Sequence, residues 1–520
     1  MHPLPAPSHP YLGSSISISL SKPSGHGCFV FALLALGPLV QLRGIPGPFL
    51  ARFSNLWLTY ICRRSKRSYT VYDLHERLGP VVRIQPDHIS IVDEKAINLV
   101  YGHGNGLEKS SWYDSSISLT RSIFTARERA QHARKRRYIA HSFAPKSARA
   151  AEACVSNKVE ILLQKWDAII EKERHCDGFA KLECRRWFTY MSFDITGDLL
   201  YSEPFGMLQN GSDLASVQTR PGAKVSYVSM MNSLANRSAA VATLGVLPWL
   251  RPYASYLPDP FFHNGMDGLQ NLLGVTSTHV KERMAGTRKV DHQDWLSLLL
   301  QGRDDKGELL KFEEVTSESL TLFMAAIETV SNTLSAMMYY LANSPSSLEK
   351  LQTELDSVAT LDAVISFEQV RSLPYLDAVL NETMRLHSVL GIGLPRQVPP
   401  DSKGLHFDGY FFPAGTVLSV PIYTIHRSRD IWGPDGNEFQ PDRWANLTSR
   451  QKTAFIPFGH GPAGCVGRNL AEVEMKIIAA TLIRRYAFCM EDSKVDSTEG
   501  TTRKLIAVNI GIKHRQEKPL

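Results

Sequence analysis

From Glu308 to Ser344 the chain contains neither glycine nor proline, and the stretch FEEVTSESLTLFMAAIETVSNTLSAMMYYLAN within it carries apolar residues at helical spacing. A continuous helix of that length reaches about 55 Å at about 1.5 Å per residue, longer than most helices of globular proteins. Such a rod must cross a whole domain. Further helical segments read around 153–172, 346–358, 374–387 and 469–486, while strand-like runs are short: VVRI near 81, HISIV near 88 and TVLSVPIYTI near 416. The chain is therefore expected to be mainly α with a small β portion. Its 520 residues suggest about three domains by length alone, yet no Ser/Gly- or Pro-rich linker divides it after residue 50, so residues 45–520 read as one large domain.

At 43% hydrophobic and 21% charged, the composition excludes disorder and collagen-like fibres. Lys plus Arg number 58 against 51 Asp plus Glu, and the resulting charge of +7 is too dilute to indicate nucleic acid as a partner. Seven cysteines are widely spaced with no CxxC pair, which argues against a disulfide framework and leaves at least one thiol to explain.

Residues 1–27 form a Pro/Ser-rich segment, followed by the apolar run CFVFALLALGPLV from Cys28 to Val40. As a helix this run spans about 20 Å against a hydrocarbon core of about 30 Å. Residues 28–44 are expected to form a short membrane anchor, with a helix packed on the protein body as the alternative. A cleaved signal peptide is disfavoured because QLRGIPGP follows without a small-residue cleavage site. Basic residues Arg43, Arg52, Arg63, Arg64, Lys66 and Arg67 gather on the carboxyl side, which would keep the body in the cytosol. Of four glycosylation sequons, at Asn210, Asn236, Asn381 and Asn446, the third directly precedes Glu382 of the Glu382-Thr383-Met384-Arg385 motif and reads as coincidental.

Near the carboxyl end, residues 455–470 read FIPFGHGPAGCVGRNL, with glycines at 459, 461, 464 and 467 around Cys465. Glycines permit close approach of backbone to a flat ligand, and the helical pattern resuming at Asn469 sets the sulfur near a helix N-terminus, which favours a thiolate. Cys465 is either a thiolate metal ligand or a buried cysteine in a glycine-rich turn.

FGHGPAGCVG at 458–467 resembles the FGxGxRxCxG signature of the cytochrome P-450 family, with Ala463 in place of the arginine. The resemblance implies the cytochrome P-450 fold and a haem b cofactor whose iron takes Cys465 as axial ligand, with Phe458 beside it. Ala463 removes an expected donor to a haem propionate. Glu382-Thr383-Met384-Arg385 matches the family's ExxR, and Pro441-Asp442-Arg443-Trp444 supplies the arginine that joins the pair in a buried network. Taken alone, an ExxR is as readily an exposed helix pair worth about 0.2–0.5 kcal/mol.

On the long helix, Ala325-Ala326-Ile327-Glu328-Thr329 resembles the family's oxygen-activation motif. Thr329 can bond back to the carbonyl of Ala325 and locally open the ladder, and Glu328 with Thr329 would relay protons. The bland reading is a core helix with an incidental threonine. RERAQHARKRR at 127–137 holds six basic side chains, a pattern more often a solvated face. In the family, His132 and Arg136 match propionate contacts, as does Arg396 in GIGLPRQ, and the remaining charges would dock an acidic reductase. GHGNG at 102–106 lacks the strand–GxGxxG–helix context of a dinucleotide site, so electrons must come from a separate protein, and the resemblance implies NADPH-cytochrome P-450 reductase, fed by NADPH. The resemblance thus implies an endoplasmic reticulum membrane location with a cytosolic catalytic domain.

A closer likeness, in YDLHERLGPVVRIQPDHISI, FDITGDLLYSEPFGML and GIGLPRQVPP among others, is to fungal benzoate para-hydroxylases. It implies hydroxylation of a small aromatic compound and makes Ser110, Ser111, Trp112, Tyr113 and Ser116 pocket candidates, in a loop from Lys109 to Thr125. Ser111-Trp112 departs from the acidic-aromatic pair of that subfamily. Monooxygenation of a larger aromatic or polyketide-derived pathway intermediate stays open, as does a non-catalytic haem-binding role suggested by Ala463. A reductase-independent isomerase or peroxide-dependent catalyst is opposed by Glu328 and Thr329.

Overall fold

The computed structural model describes residues 41–173, 178–218, 225–290, 293–358, 364–491 and 495–515. The expected Pro/Ser-rich segment and the apolar run 28–40 of the expected anchor lie outside the described residues. Among those described, no helix is long and apolar enough to cross a membrane, and no disulfide is formed.

Seven helices frame the site: α1 (Arg129–Ile139), α2 (Cys184–Tyr201), α3 (Met230–Leu244), α4 (Pro260–Met284), α5 (Phe312–Ala342), α6 (Pro374–Leu386) and α7 (Arg468–Arg485). The long helix α5 has 31 residues, about 46 Å at 1.5 Å per residue. Glu313 and Glu314 sit in its first turn, where negative charge complements the helix dipole. Its end comes at Asn343, just before Pro345 opens the next helix. Helix α5 is buried on nearly all sides, with Leu320, Phe323, Ile327, Leu334 and Met337 in the core. Two of its buried serines bond within the helix, Ser331 to the Ile327 carbonyl and Ser335 to the Ser331 carbonyl, both at 2.6 Å, which satisfies those hydroxyls where α5 is most enclosed. Helix α2 packs along α5, the Phe193 and Phe323 rings 5.7 Å apart, and α3 packs on α4.

The main sheet has five short strands in the order Val81–Arg83, His88–Ile91, Val417–Ser419, Arg396–Gln397 and Glu108–Lys109. Only the central pairing, His88–Ile91 with Val417–Ser419, is parallel. The run read as a strand near 416 is strand only over Val417–Ser419. Pro421 follows, lacking an amide for the ladder, and Ile422–Ile425 coils into a helical turn. The last antiparallel pairing makes Lys109 the direct partner of Arg396.

Candidate functional site

The loop before α7 is closed by its own backbone. Cys465 N donates to Phe458 O at 2.8 Å, Gly464 N to Gly461 O at 3.0 Å and Gly459 N to Ile456 O at 3.0 Å. Gly459 and Gly461 take φ of 72° and 69°, and a β-carbon on Gly461 would collide with the Tyr101 carbonyl. This is the geometry for which the sequence places glycine there. Arg136 of α1 donates to the Gly464 carbonyl at 2.8 Å, tying a second helix to the loop. Cys465 opens onto an internal cavity. Burial pushes its thiol pKa up, against the pull of the Gly467 amide and of Arg136 and Arg468.

That cavity has a volume of about 360 Å³ and is lined on one wall by Phe458, Cys465 and Ala463 and on the other by Ala325, Ala326 and Thr329 of α5. Thr329 Oγ1 donates to the Ala325 carbonyl at 2.9 Å. The expected opening of the ladder does not occur: α5 runs unbroken from Phe312 to Ala342. The carbonyl oxygen has two lone pairs, so it can accept from the hydroxyl and the helical amide together. Glu328 also lines the cavity, and its carboxylate is engaged, accepting from Thr502 Oγ1 at 3.0 Å and pairing with Lys504 Nζ at 3.4 Å.

His132, Arg136 and Arg396 meet at the cavity, together with Lys109. Lys109 donates to the Ile123 and Phe124 carbonyls at 2.9 and 2.8 Å, and Arg396 to the Tyr113 hydroxyl at 2.7 Å. Among the described residues no carboxylate hydrogen-bonds to Lys109, Arg136 or Arg396. Burial and then Lys109, Arg136 and Arg396 hold His132 down to about 3. Burial and then Arg396 push Lys109 well below the usual lysine range. Like charges paired directly across strands repel, and buried cations call for an anion. The residues therefore fit a haem: a thiol in a glycine loop to face the iron, and a cluster of uncompensated cations to meet two propionates. Lys109 would offer from the sheet the positive charge that Ala463 cannot offer from the loop; as a lone lysine it carries no motif in the sequence.

Beneath the loop, Glu382 and Arg385 of α6 are fully buried. Arg385 Nε donates to Glu382 Oε2 and Nη2 to Oε1, both at 2.8 Å, and Arg443 Nε reaches Oε1 at 3.0 Å. Trp444 Nε1 and the Gln440 amide complete the carboxylate at 3.0 and 2.9 Å. Arg385 spends its remaining donors on the carbonyls of His426, Gly436 and Glu438.

Of the five loop residues singled out for a substrate, Tyr113 and Ser116 line the cavity. The other three are placed elsewhere. Ser110 is buried, its hydroxyl accepting from the Trp112 amide at 3.3 Å as it caps the turn Ser111–Ser116. Ser111 is exposed, and Trp112 is packed against Phe124 and close to Gly245. The basic run at 127–137 also departs from a docking face. Arg127 bonds Asp114, Arg134 pairs with Glu314 and Asp305, and Lys135 is buried between Glu314 and Glu318. With Arg136 held by the Cys465 loop, only Arg129 and Arg137 of the six are exposed. The cause is a set of acids from separate elements, Glu314 and Glu318 of α5 with Asp114 and Asp305, which no spacing in the basic run itself reveals.

Residues 46–514 match the family model described as Cytochrome P450. Benzoate 4-monooxygenase bphA of Aspergillus niger is 42% identical over 94% of this chain and 96% of that protein. Cytochrome P450 monooxygenases tpeC of Talaromyces stipitatus and traB of Penicillium crustosum are 31% and 30% identical, over 87% and 88% of this chain and 85% and 88% of their own lengths. The protein that carries this thiol loop, cation cluster and buried Glu–Arg network is a haem-dependent monooxygenase and belongs to the cytochrome P450 family.

Proposed function

We propose that this protein hydroxylates a small aromatic acid, benzoate or a close relative, with Cys465 as the thiolate ligand of its haem and electrons delivered from NADPH by a separate reductase. The observation that carries this reading is that Cys465 and the Ala325–Thr329 face of α5 line the same cavity. The likeness to benzoate 4-monooxygenase bphA supports the substrate class. Haem bound there supplies dioxygen binding and the electron transfer that cleaves the O–O bond.

The chain's own residues do the rest. His132, Arg136 and Arg396, which line the cavity together, would hold the propionates. Thr329, its proton spent on the Ala325 carbonyl, offers its oxygen lone pairs to water in the cavity and can pass a proton by rotating. Glu328 would relay protons behind it, its carboxylate taking a proton up and passing it on when it leaves Thr502 and Lys504. Tyr113 and Ser116 contact the substrate, and Glu382, Arg385 and Arg443 hold the core beneath the cysteine loop.

Membrane attachment, with the catalytic body on the cytosolic side of the endoplasmic reticulum, belongs to the same proposal. It rests on the apolar run Cys28–Val40 and on exposed Phe49, Leu50, Phe53 and Leu56 beside it in sequence. Trp249, Tyr253 and Tyr256 are also exposed, on a segment that packs on α3 as the Leu56–Arg63 helix does. An apolar, aromatic-rich and basic-flanked surface suits a bilayer interface.

Optical titration of purified full-length protein with benzoate and substituted benzoates tests the substrate class: a saturable low-spin to high-spin shift is expected. Cys465→Ser is expected to abolish the thiolate-type carbon monoxide spectrum, and an unchanged spectrum would remove Cys465 as ligand. Product formation that does not require NADPH and reductase would overturn the electron route.

A further inference from the structure

Arg237 is a buried arginine of α3, 7% exposed, whose guanidinium lines the cavity beside Ser116, Leu234, Ser238, Thr501 and Thr502. Its one hydrogen bond is weak: Nη2 to the Ser116 carbonyl at 3.3 Å. Nε is buried with no partner at all. No carboxylate is bonded to it among the described residues, and the acid whose charge it feels, Glu328, is already held by Thr502 and Lys504. A buried guanidinium is costly unless an anion meets it, and native interiors leave few such donors unsatisfied.

Burial lowers its pKa to about 10, so it stays charged at neutral pH. Nε is closed off, but among the described residues Nη1 makes no hydrogen bond and Nη2 only the weak one to Ser116, so the Nη1–Nη2 end of the planar fork is left to match a carboxylate in bidentate fashion. Leu234 and Ile123 provide apolar surface in the same cavity, and the Ser116 and Thr501 side chains provide hydroxyls around the guanidinium. The cations Lys109, Arg136 and Arg396 are a different group, on the main sheet and α1, and are matched to the haem.

We propose that Arg237 is the carboxylate anchor of the substrate pocket, so that the protein selects aromatic acids over their uncharged counterparts. This rests on the haem-monooxygenase reading above and sharpens its substrate class. Sequence offered no sign of it: within MMNSLANRSAAVATL, Arg237 is one basic residue on a helix, and the Asn236 sequon that it sits in says nothing of a pocket.

The test is equilibrium binding to the full-length holoprotein of benzoate, para-methylbenzoate and naphthoate, each against its own amide, read by the haem spin shift and by equilibrium dialysis. Wild type is expected to prefer the carboxylate in at least one pair by about 10–100-fold, the range of a hydrogen-bonded charge. Arg237→Gln is expected to erase that preference while leaving amide binding and the carbon monoxide spectrum in place. Arg237→Lys, which keeps charge and loses the fork, is expected to restore part of it and is read instead should Arg237→Gln fail to load haem. A merely structural arginine would weaken acid and amide alike, and that result overturns the proposal. So does wild type that shows no preference in any pair, whatever the variants do. Preference kept in both variants overturns the assignment to Arg237 and leaves the aromatic-acid reading standing. Preference seen with naphthoate, lost in Arg237→Gln, but no binding of benzoate supports Arg237 and overturns the small-substrate reading.

Discussion

Glu382 receives four donors besides Arg443, two from Arg385 and one each from Trp444 and Gln440, so the two arginines around it are not equivalent. Arg385→Met leaves a fully buried carboxylate without its bidentate partner and frees three carbonyls, and should cost about 3–5 kcal/mol. Arg443 is 11% exposed and is shared with Asp435, so Arg443→Met leaves Glu382 still paired and should cost less, about 1–2 kcal/mol. Urea unfolding of the two variants, with haem content measured alongside, checks the order; equal losses would mean that Arg385 does not dominate the network. The same contrast explains what could be read from sequence at this scale. Residues in contiguous motifs, Cys465, Glu382 with Arg385, and Thr329, were legible because chemistry fixes their spacing. Lys109, Arg237, Thr502 and Lys504 reach the cavity from separate elements, and a single basic or hydroxyl residue carries no periodicity that points to its destination.

Among elements, α5, α6 and α7 were legible because apolar residues recur at helical spacing without glycine or proline inside them. Helices α2, α3 and α4 were not. Helix α4 carries Gly265, Gly268 and Gly274, poor helix formers that in the structure let α3 and a neighbouring strand approach closely: a β-carbon on Gly268 would clash with the Ser233 carbonyl. Helix α7 holds a group that its pattern hid. Glu474 is fully buried on it, and burial alone pushes its pKa from 4.5 up to about 8. The folded protein therefore holds a proton that the unfolded chain has released above about pH 4.5. Stability from this residue is fully present below that pH and is lost as pH rises through about 8. Glu474→Gln keeps the shape and removes the titration, so the variant should unfold at higher temperature than wild type at pH 8 and at nearly the same temperature at pH 5. A gap that does not grow with pH would show that Glu474 is not buried as an acid.

At the scale of the whole molecule, acid should act through histidine. Burial holds His75 down to about 4 and His426 to about 3, and His88 and His387 also lie well below the ordinary value. Each unfolded imidazole binds a proton near pH 6.5 that its folded counterpart refuses, so the unfolded chain takes up more protons and stability falls as pH drops from about 6.5 toward 3–4. A formal charge of +7 at neutral pH adds self-repulsion in the same direction as carboxylates are neutralised. His426 links this loss to the functional site. Its Nε2 accepts from the Ile456 amide at 3.0 Å, and Ile456 in turn accepts through its carbonyl from Gly459 at the start of the cysteine loop. A protonated ring cannot accept, so the amide would face an N–H and the loop would lose its tether when His426 charges. Stability should therefore begin to fall below about pH 6.5, and the haem-thiolate spectrum should be lost together with unfolding, rather than after it, as pH approaches the value of about 3 at which the folded His426 charges. His426→Gln, whose side-chain oxygen can accept the same amide at any pH, should move that loss to lower pH. Following the haem absorbance and tryptophan fluorescence through one pH series decides it, since an acid transition unmoved by His426→Gln would free the loop from this histidine.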